Sequence, residues 1–256
     1  MVLLVRKSCD LRTRPSGLQM QMKIRWGICP LPAGAARQQR SSVEPEAANP
    51  PLQNCAKLLL RFHDVTGGCI TLNGQDIRSI SQQTLRDHIA YVPQKAWLFS
   101  GTIASNLRFG NPDATEEQMW HALEVAQAGF VKALDQGLNA HVAQGGTNFS
   151  GGQKQRLSIA RALMKQADLY VFDDSFSALD FKTDSALRNA LSKEITDSAI
   201  LIIAQRINTI LHAEQIIVLN DGKIAGIGNH EYLMEHCEVY QEIAKSQMKG
   251  EQLHGQ

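Results

Sequence analysis

Long hydrophobic runs are missing from this 256-residue sequence. The longest purely aliphatic stretch, Ala199 to Ala204, is six residues, against the roughly 20 needed to cross a bilayer. No membrane-spanning segment is expected. Paired cysteines are missing too. Cys9, Cys29, Cys55, Cys69 and Cys237 are odd in number and contain no Cys-x-x-Cys, which argues against a disulfide framework or a zinc site and for a reducing compartment. His121, His141, His212, His230 and His236 show no metal-ligand spacing. A charge excess is also absent: the net charge of +1 gives no support to a general polyanion-binding role. What is present, 43% apolar and 20% charged residues, fits a packed chain rather than a disordered one. The length suits one large domain or two small ones.

Composition divides the chain. Residues 1–55 hold eight basic residues (Arg6, Lys7, Arg12, Arg14, Lys23, Arg25, Arg37 and Arg40) against Asp10, Glu44 and Glu46, with six of the eight prolines. Their apolar residues keep neither a helical nor a strand period. The segment reads as a poorly ordered basic arm, not a folded layer. A transit peptide would also be basic and acid-poor, but Pro15, Gly17, Pro30 and Pro32 interrupt any amphipathic helix. Residues 56–250 read as the folded domain.

From about Leu58 the pattern becomes alternating strands and helices. Cys69–Asn73 and His88–Val92 read as short strands, Thr115–Ala128 and Gly152–Lys165 as helices with Leu157, Ala160 and Met164 on one face of the second. Leu169–Phe172 and Ala199–Ile203 are near-continuous apolar runs, as parallel strands covered on both faces require. Ile216–Leu219, Asp221-Gly222 and Lys223–Ile227 read as a hairpin. The expected fold class is α/β with a mainly parallel sheet.

Two stretches carry chemistry. Asn148-Phe149-Ser150-Gly151-Gly152-Gln153-Lys154-Gln155-Arg156 places two glycines at a helix start, where unpaired N–H groups favour a phosphate. Alone, Ser-Gly-Gly is equally an ordinary cap. Downstream, Leu169-Tyr170-Val171-Phe172-Asp173-Asp174 ends a buried strand in two carboxylates, where α/β sheets bind ligands. Asp173 there is placed to hold Mg²⁺ through water.

In this order the two motifs resemble the nucleotide-binding domain of ABC transporters, from about Leu58 to Gln247. Tyr91-Val92-Pro93-Gln94 resembles the Q-loop, and Leu98-Phe99-Ser100-Gly101-Thr102-Ile103 with Asn106-Leu107 is similar to the stretch after it in exporters. Asn148–Gln153 matches the signature with Phe149 for the commoner Leu, and Ser177-Ala178-Leu179-Asp180 matches the D-loop. The resemblance implies a P-loop NTPase-like sheet with an inserted helical subdomain at about 95–165, and ATP with Mg²⁺ as cofactors. Gln94 and Asp173 would contact the metal through water. Ser150, Gly151, Gly152, Gln153 and Asp180 would serve nucleotide across a head-to-tail dimer. The implied partners are a second nucleotide-binding domain and an exporter's transmembrane domain, with the chain at the cytoplasmic face of the membrane. Nucleic acid is not among them. Trp97 and Phe99 fall where the family docks onto its membrane partner, though burial in the core accounts for them equally well.

Three departures qualify this. The positions for the phosphate loop read Glu46-Ala47-Ala48-Asn49-Pro50-Pro51-Leu52-Gln53, with no glycine and no lysine, and Pro50 and Pro51 lack N–H groups. The strand expected before that loop has no counterpart in residues 37–45. The N-terminal strands and the loop therefore read as incomplete, as if residues 1–55 replaced the family's N-terminal third through a frameshift or a displaced start. Asp174 stands in place of the catalytic Glu, and Gln205 in place of the switch His; losing a positioned base costs on the order of 10²–10⁴ in rate. Asp and Gln together resemble the degenerate half of a heterodimeric multidrug exporter. The expected function is an ATP-binding, energy-coupling subunit that lends its signature in trans. The alternatives are a truncated, non-functional product and an ABC ATPase acting on DNA. The latter needs long arms between Gln94 and Ser150, which this spacing does not hold.

Overall fold

The computed structural model describes residues 2–6, 53–65, 68–72, 74–220 and 223–254. Along the chain run β1 (Val2–Arg6), α1 (Gln53–Leu59), β2 (Thr71–Leu72), β3 (Gln75–Asp76), α2 (Gln82–Asp87), β4 (Ile89–Val92), β5 (Gly101–Thr102) and α3 (Ile103–Arg108). There follow α4 (Glu116–Val125), β6 (His141–Val142), α5 (Gly151–Met164), β7 (Leu169–Asp173), α6 (Phe181–Glu194), β8 (Ala199–Ala204), β9 (Gln215–Asn220), β10 (Lys223–Gly228), α7 (His230–His236) and α8 (Glu238–His254). Two compact units result, Met1–Lys7 with His88–Gln256, and Ser8–Asp87.

The larger unit is built on a six-stranded sheet in the order β10-β9-β1-β8-β7-β4. β4, β7 and β8 are parallel neighbours. All five residues of β7 are buried, and five of six in β8, which is why both strands read as unbroken apolar runs. The fold is α/β with a parallel sheet, as expected.

One expectation needs correction. Val2–Arg6 is not part of an unstructured arm; it is a strand lying between β8 and β9 and antiparallel to both, with Leu4 opposite Ile202 on one side and Ile216 on the other. Val2-Leu3-Leu4-Val5 is too short to display a period, yet it is composed of apolar residues compatible with a central strand. Residues 7–52 of that arm, including the aligned loop positions 46–52, lie outside the described residues, while its last three residues, 53–55, begin α1 rather than continuing an unstructured segment. The hairpin expected around Asp221-Gly222 forms as β9 and β10, its two turn residues also lying outside.

Between β4 and β7, helices α3 and α4 pack against α5. Their starts follow local chemistry. Thr115 and Gln118 close a capping box at α4, as Thr102 and Ser105 do at α3. Asn106 is buried within α3. Its amide nitrogen donates to the carbonyls of Phe99 (2.8 Å) and Thr102 (3.0 Å), and its oxygen accepts the Phe99 N–H at 2.8 Å. It therefore sets the turn that carries Phe99. Asn106→Leu is expected to lower stability by about 1–3 kcal/mol, because it strands that backbone; a shift in the urea midpoint at constant slope checks this.

In the smaller unit, β2 and β3 form a two-stranded pair. Arg61 reaches the carbonyls of Ile77 (3.2 Å) and Ile80 (2.9 Å) and pairs with Asp64 at 2.9 Å. Arg86 donates to the Leu60 carbonyl at 3.1 Å and lies over the Phe62 ring.

Candidate functional site

Because β4, β7 and β8 are parallel, their C-terminal ends share one edge of the sheet, the place where open α/β sheets gather ligand-binding groups. Val92 is opposite Phe172, and Asp173 is opposite Ile203. The chain therefore delivers Gln94 from β4, Asp173 and Asp174 from β7, and Gln205 from β8 to the same edge.

Gln94 and the two aspartates are brought together. The Gln94 Nε2 donates to Asp174 Oδ2 at 2.9 Å, and the Tyr91 hydroxyl donates to Asp173 Oδ2 at 3.0 Å. Burial, reinforced by the Asp173 charge beside it, pushes the Tyr91 hydroxyl far above the ordinary phenol range, so it remains a donor. Asp174 is half-buried and sits in the left-handed backbone region at φ 44°, its N–H bonded to the Ile203 carbonyl at 2.8 Å. Burial raises its pKa, while hydrogen bonds from Gln94 and Ser177 and the Arg206 charge oppose that rise. Ser175, fully buried, donates to the Val92 carbonyl at 2.8 Å and ties β7 to β4 just below the carboxylates.

These donors suit Mg²⁺, which takes one or two carboxylates and completes its shell with water and substrate phosphate. Gln94 has its amide nitrogen committed to Asp174, so its carbonyl oxygen is the atom of the correct sign for a cation. Among the described residues no group of three or more His, Cys, Asp or Glu forms an all-protein cage.

The second element is the start of α5. Ser150 caps the helix through a reciprocal box: its Oγ accepts the Gln153 N–H at 3.3 Å, and Gln153 Oε1 accepts the Ser150 N–H at 2.9 Å. Gln153 is thus engaged in shaping the helix end. Ser150 and Gly151 are exposed, and a Cβ at Gly151 would meet nothing within 4 Å. Gly152 differs: a Cβ there would come within 3.3 Å of the Ala178 carbonyl oxygen. The signature-like turn therefore packs closely on the loop that leads to Asp180. Asp180 caps α6 by accepting the Thr183 N–H at 3.0 Å, and these bonds hold its carboxyl below the usual range.

Sequence reasoning missed several contributors. Gln155, buried in α5, donates to the Pro93 carbonyl at 3.2 Å and links the signature helix to the Gln94 loop. Arg156, partly buried, donates to the Gln127 carbonyl at 2.9 Å and lies over Phe130. Tyr91 and Ser177 lay inside recognised motifs, but nothing local marked their partners. Gln205 is exposed at the end of β8, and its carbonyl accepts a hydrogen bond from Gln247 at 2.6 Å. Trp97 and Phe99 are exposed rather than core residues, at 55% and 43%, and Phe109 packs against Phe99 with ring centres 4.4 Å apart and planes tilted by 36°. Arg161 lies behind them, over the Phe99 ring and bonded to the Trp97 carbonyl at 3.0 Å. No helix among the described residues is long and apolar enough to cross a membrane.

Comparison with known proteins places this geometry. The ABC transporter family profile matches residues 54–177. An uncharacterized ABC transporter ATP-binding protein of Mycobacterium tuberculosis is 48% identical over 194 residues, covering 74% of this chain and 33% of the relative. ATP-binding cassette sub-family B member 6 of Rattus norvegicus is 37% identical over 197 residues, covering 77% of this chain and 24% of the relative. Among solved structures, a bacterial Atm1-family ABC exporter with ATP bound superposes with a TM-score of 0.73 at 35% identity, covering 77% of this chain and 35% of that one. The chain thus spans between a quarter and a third of the length of these curated relatives.

Proposed function

This chain carries an ABC transporter ATP-binding domain homologous to those of ABC exporters, and from that premise we propose that it is an energy-coupling subunit which lends its signature turn to a partner's ATP while its own nucleotide site is degenerate. The observation that carries the reading is the exposed, capped start of α5. Ser150 and Gln153 bond to each other, Gly151 is open, and the helix N-terminus faces outward. Such an end attracts a phosphate through its free N–H groups and its dipole, and an ATP held by a second subunit is the phosphate that fits.

On its own side the chain offers the acidic half of a site. Asp173 and the Gln94 carbonyl oxygen would hold Mg²⁺, which would supply charge neutralisation at the phosphates when bound. Asp174 orients Gln94 and is the group placed to polarise water, but it is a methylene shorter than Glu and drawn into the sheet edge by its backbone. The positions aligned with the phosphate loop bring no lysine. In this reading the partner is a second, hydrolytically competent nucleotide-binding domain in a heterodimer. The exposed cluster of Trp97, Phe99 and Phe109 receives the transmembrane domain at the cytoplasmic face.

The isolated chain is expected to show no heat of binding with micromolar MgATP and no hydrolysis above background. Titration calorimetry with a phosphate-release assay checks both, and tight binding by the chain alone would overturn the degenerate-site reading. A specific consideration supports a second reading, a product without transport function: the missing lysine also removes any nucleotide contribution to stability. Co-purification with a transporter half would exclude it.

A further inference from the structure

The loop after β8 is exposed at Gln205 and Arg206 and becomes buried again at Ile207. Its backbone is held from two directions. From α6, Arg188 donates to the carbonyls of Asn208 (3.0 Å) and Thr209 (3.3 Å), with its guanidinium paired to Asp184 at 3.0 Å. From α8, some forty residues downstream in sequence, one side-chain amide makes two bonds. Gln247 Nε2 donates to the Gln205 carbonyl at 2.6 Å, and Gln247 Oε1 accepts the Ile207 N–H at 2.8 Å.

We propose that Gln247 is a positioning residue, which fixes the peptide on either side of Arg206 and so makes the geometry of the Gln205 loop depend on where α8 is docked. The pattern is specific. A planar amide that joins the C=O of one residue and the N–H two residues on imitates the edge of a neighbouring strand, and it supplies that pairing where β8 has ended. Asn carries the same amide but holds it one methylene short of the loop, and an apolar residue supplies neither bond.

α8 is suited to carry such a clamp. Tyr240 and Ala244, about two turns and one turn before Gln247, are buried, and the Tyr240 hydroxyl is bonded to His230 Nδ1 at 2.8 Å on α7. The helix is therefore anchored up to the clamp, and Gln247 carries hydrogen bonds from it to the loop. The inference goes beyond the transport reading. The clamp stands without it; only the consequence, control of the residue in the switch position, rests on it.

The test is amide hydrogen exchange on the full chain, without nucleotide or partner, so that its outcome is separate from that of the transport reading. Gln247→Met keeps the length and helix propensity and removes both bonds. It is expected to speed exchange at the Ile207 amide by about tenfold, because that N–H loses its acceptor, with smaller changes in β8 exchange and in the melting temperature, because water replaces much of what the two bonds contribute at this exposed turn. Gln247→Glu retains an acceptor for the Ile207 N–H but turns its second oxygen toward the Gln205 carbonyl, which repels it, and is expected to restore only part of that protection. Unchanged exchange at Ile207 in Gln247→Met would overturn the proposal. So would a rise spread equally through β8 and α8, because that is the mark of a residue which merely stabilises the fold.

Discussion

Replacing Gly151 by Asp is expected to abolish ATP turnover in an exporter containing this chain, while the chain itself becomes no less stable. The two effects separate because they act on different sides of the same atom. Within the chain, a Cβ at 151 enters open space, and a carboxylate in the first turn of α5 is favourable to the helix dipole by about 0.3–1 kcal/mol. Toward the partner's nucleotide, the same carboxylate stands where a phosphate should approach. Two like charges about 4 Å apart at an effective dielectric near 20 repel by roughly 4 kcal/mol, which corresponds to about a thousandfold in rate. Gly151→Ala adds the bulk without the charge and should fall between. The measurements are steady-state ATPase activity of the assembled transporter and a thermal melt of the purified subunit. Wild-type turnover in Gly151→Asp would end the trans-signature reading. A parallel change at Gly152 is a poorer probe, since a side chain there presses on the Ala178 carbonyl and perturbs the chain's own fold.

The second large effect concerns the sheet. Leu4→Pro is expected to cost about 3 kcal/mol or more and to remove or sharply broaden the cooperative melt. β1 is flanked on both sides, with Leu4 facing Ile202 and Ile216 in register. In a strand with two neighbours every internal N–H points toward one of them, so a proline at that position necessarily deletes a ladder bond. Leu4→Val keeps the N–H and the β preference and should melt close to the parent. Circular dichroism with heating discriminates the pair. Equal melting of Leu4→Pro and the parent would mean that β8 and β9 do not depend on the strand between them.

Legibility in the sequence followed the range of the forces involved. The starts of α4 and α5 were readable because Thr115 with Gln118 and Ser150 with Gln153 bond three residues apart. β7 and β8 were readable because strands covered on both faces have nowhere to place a polar side chain. The two carboxylates closing β7 were readable from the end of that apolar run. What sequence did not give were contacts whose partners are tens of residues away: Tyr91 with Asp173, Gln155 with Pro93 and Gln247 with the β8 loop. The Arg156 contact belongs with these, because nothing near it in sequence signals that Gln127, in a left-handed conformation, turns its carbonyl toward it. β1 escaped for a different reason. Five residues followed by a proline-rich stretch carry too little pattern to be told from an arm, and the slot they fill exists only once β8 and β9 are in place.

The buried amide of Gln155 on the Pro93 carbonyl has a mechanical consequence. It acts as a crossbar between α5 and the turn bearing Gln94, so the helix cannot pivot away without stripping a polar pair from its shelter. At about 1–3 kcal/mol for such a rupture, tilted conformers are rationed to a small minority of molecules. Swinging of these two parts against each other is therefore costly by default, and any large stroke must either carry both as one piece or break that bar first.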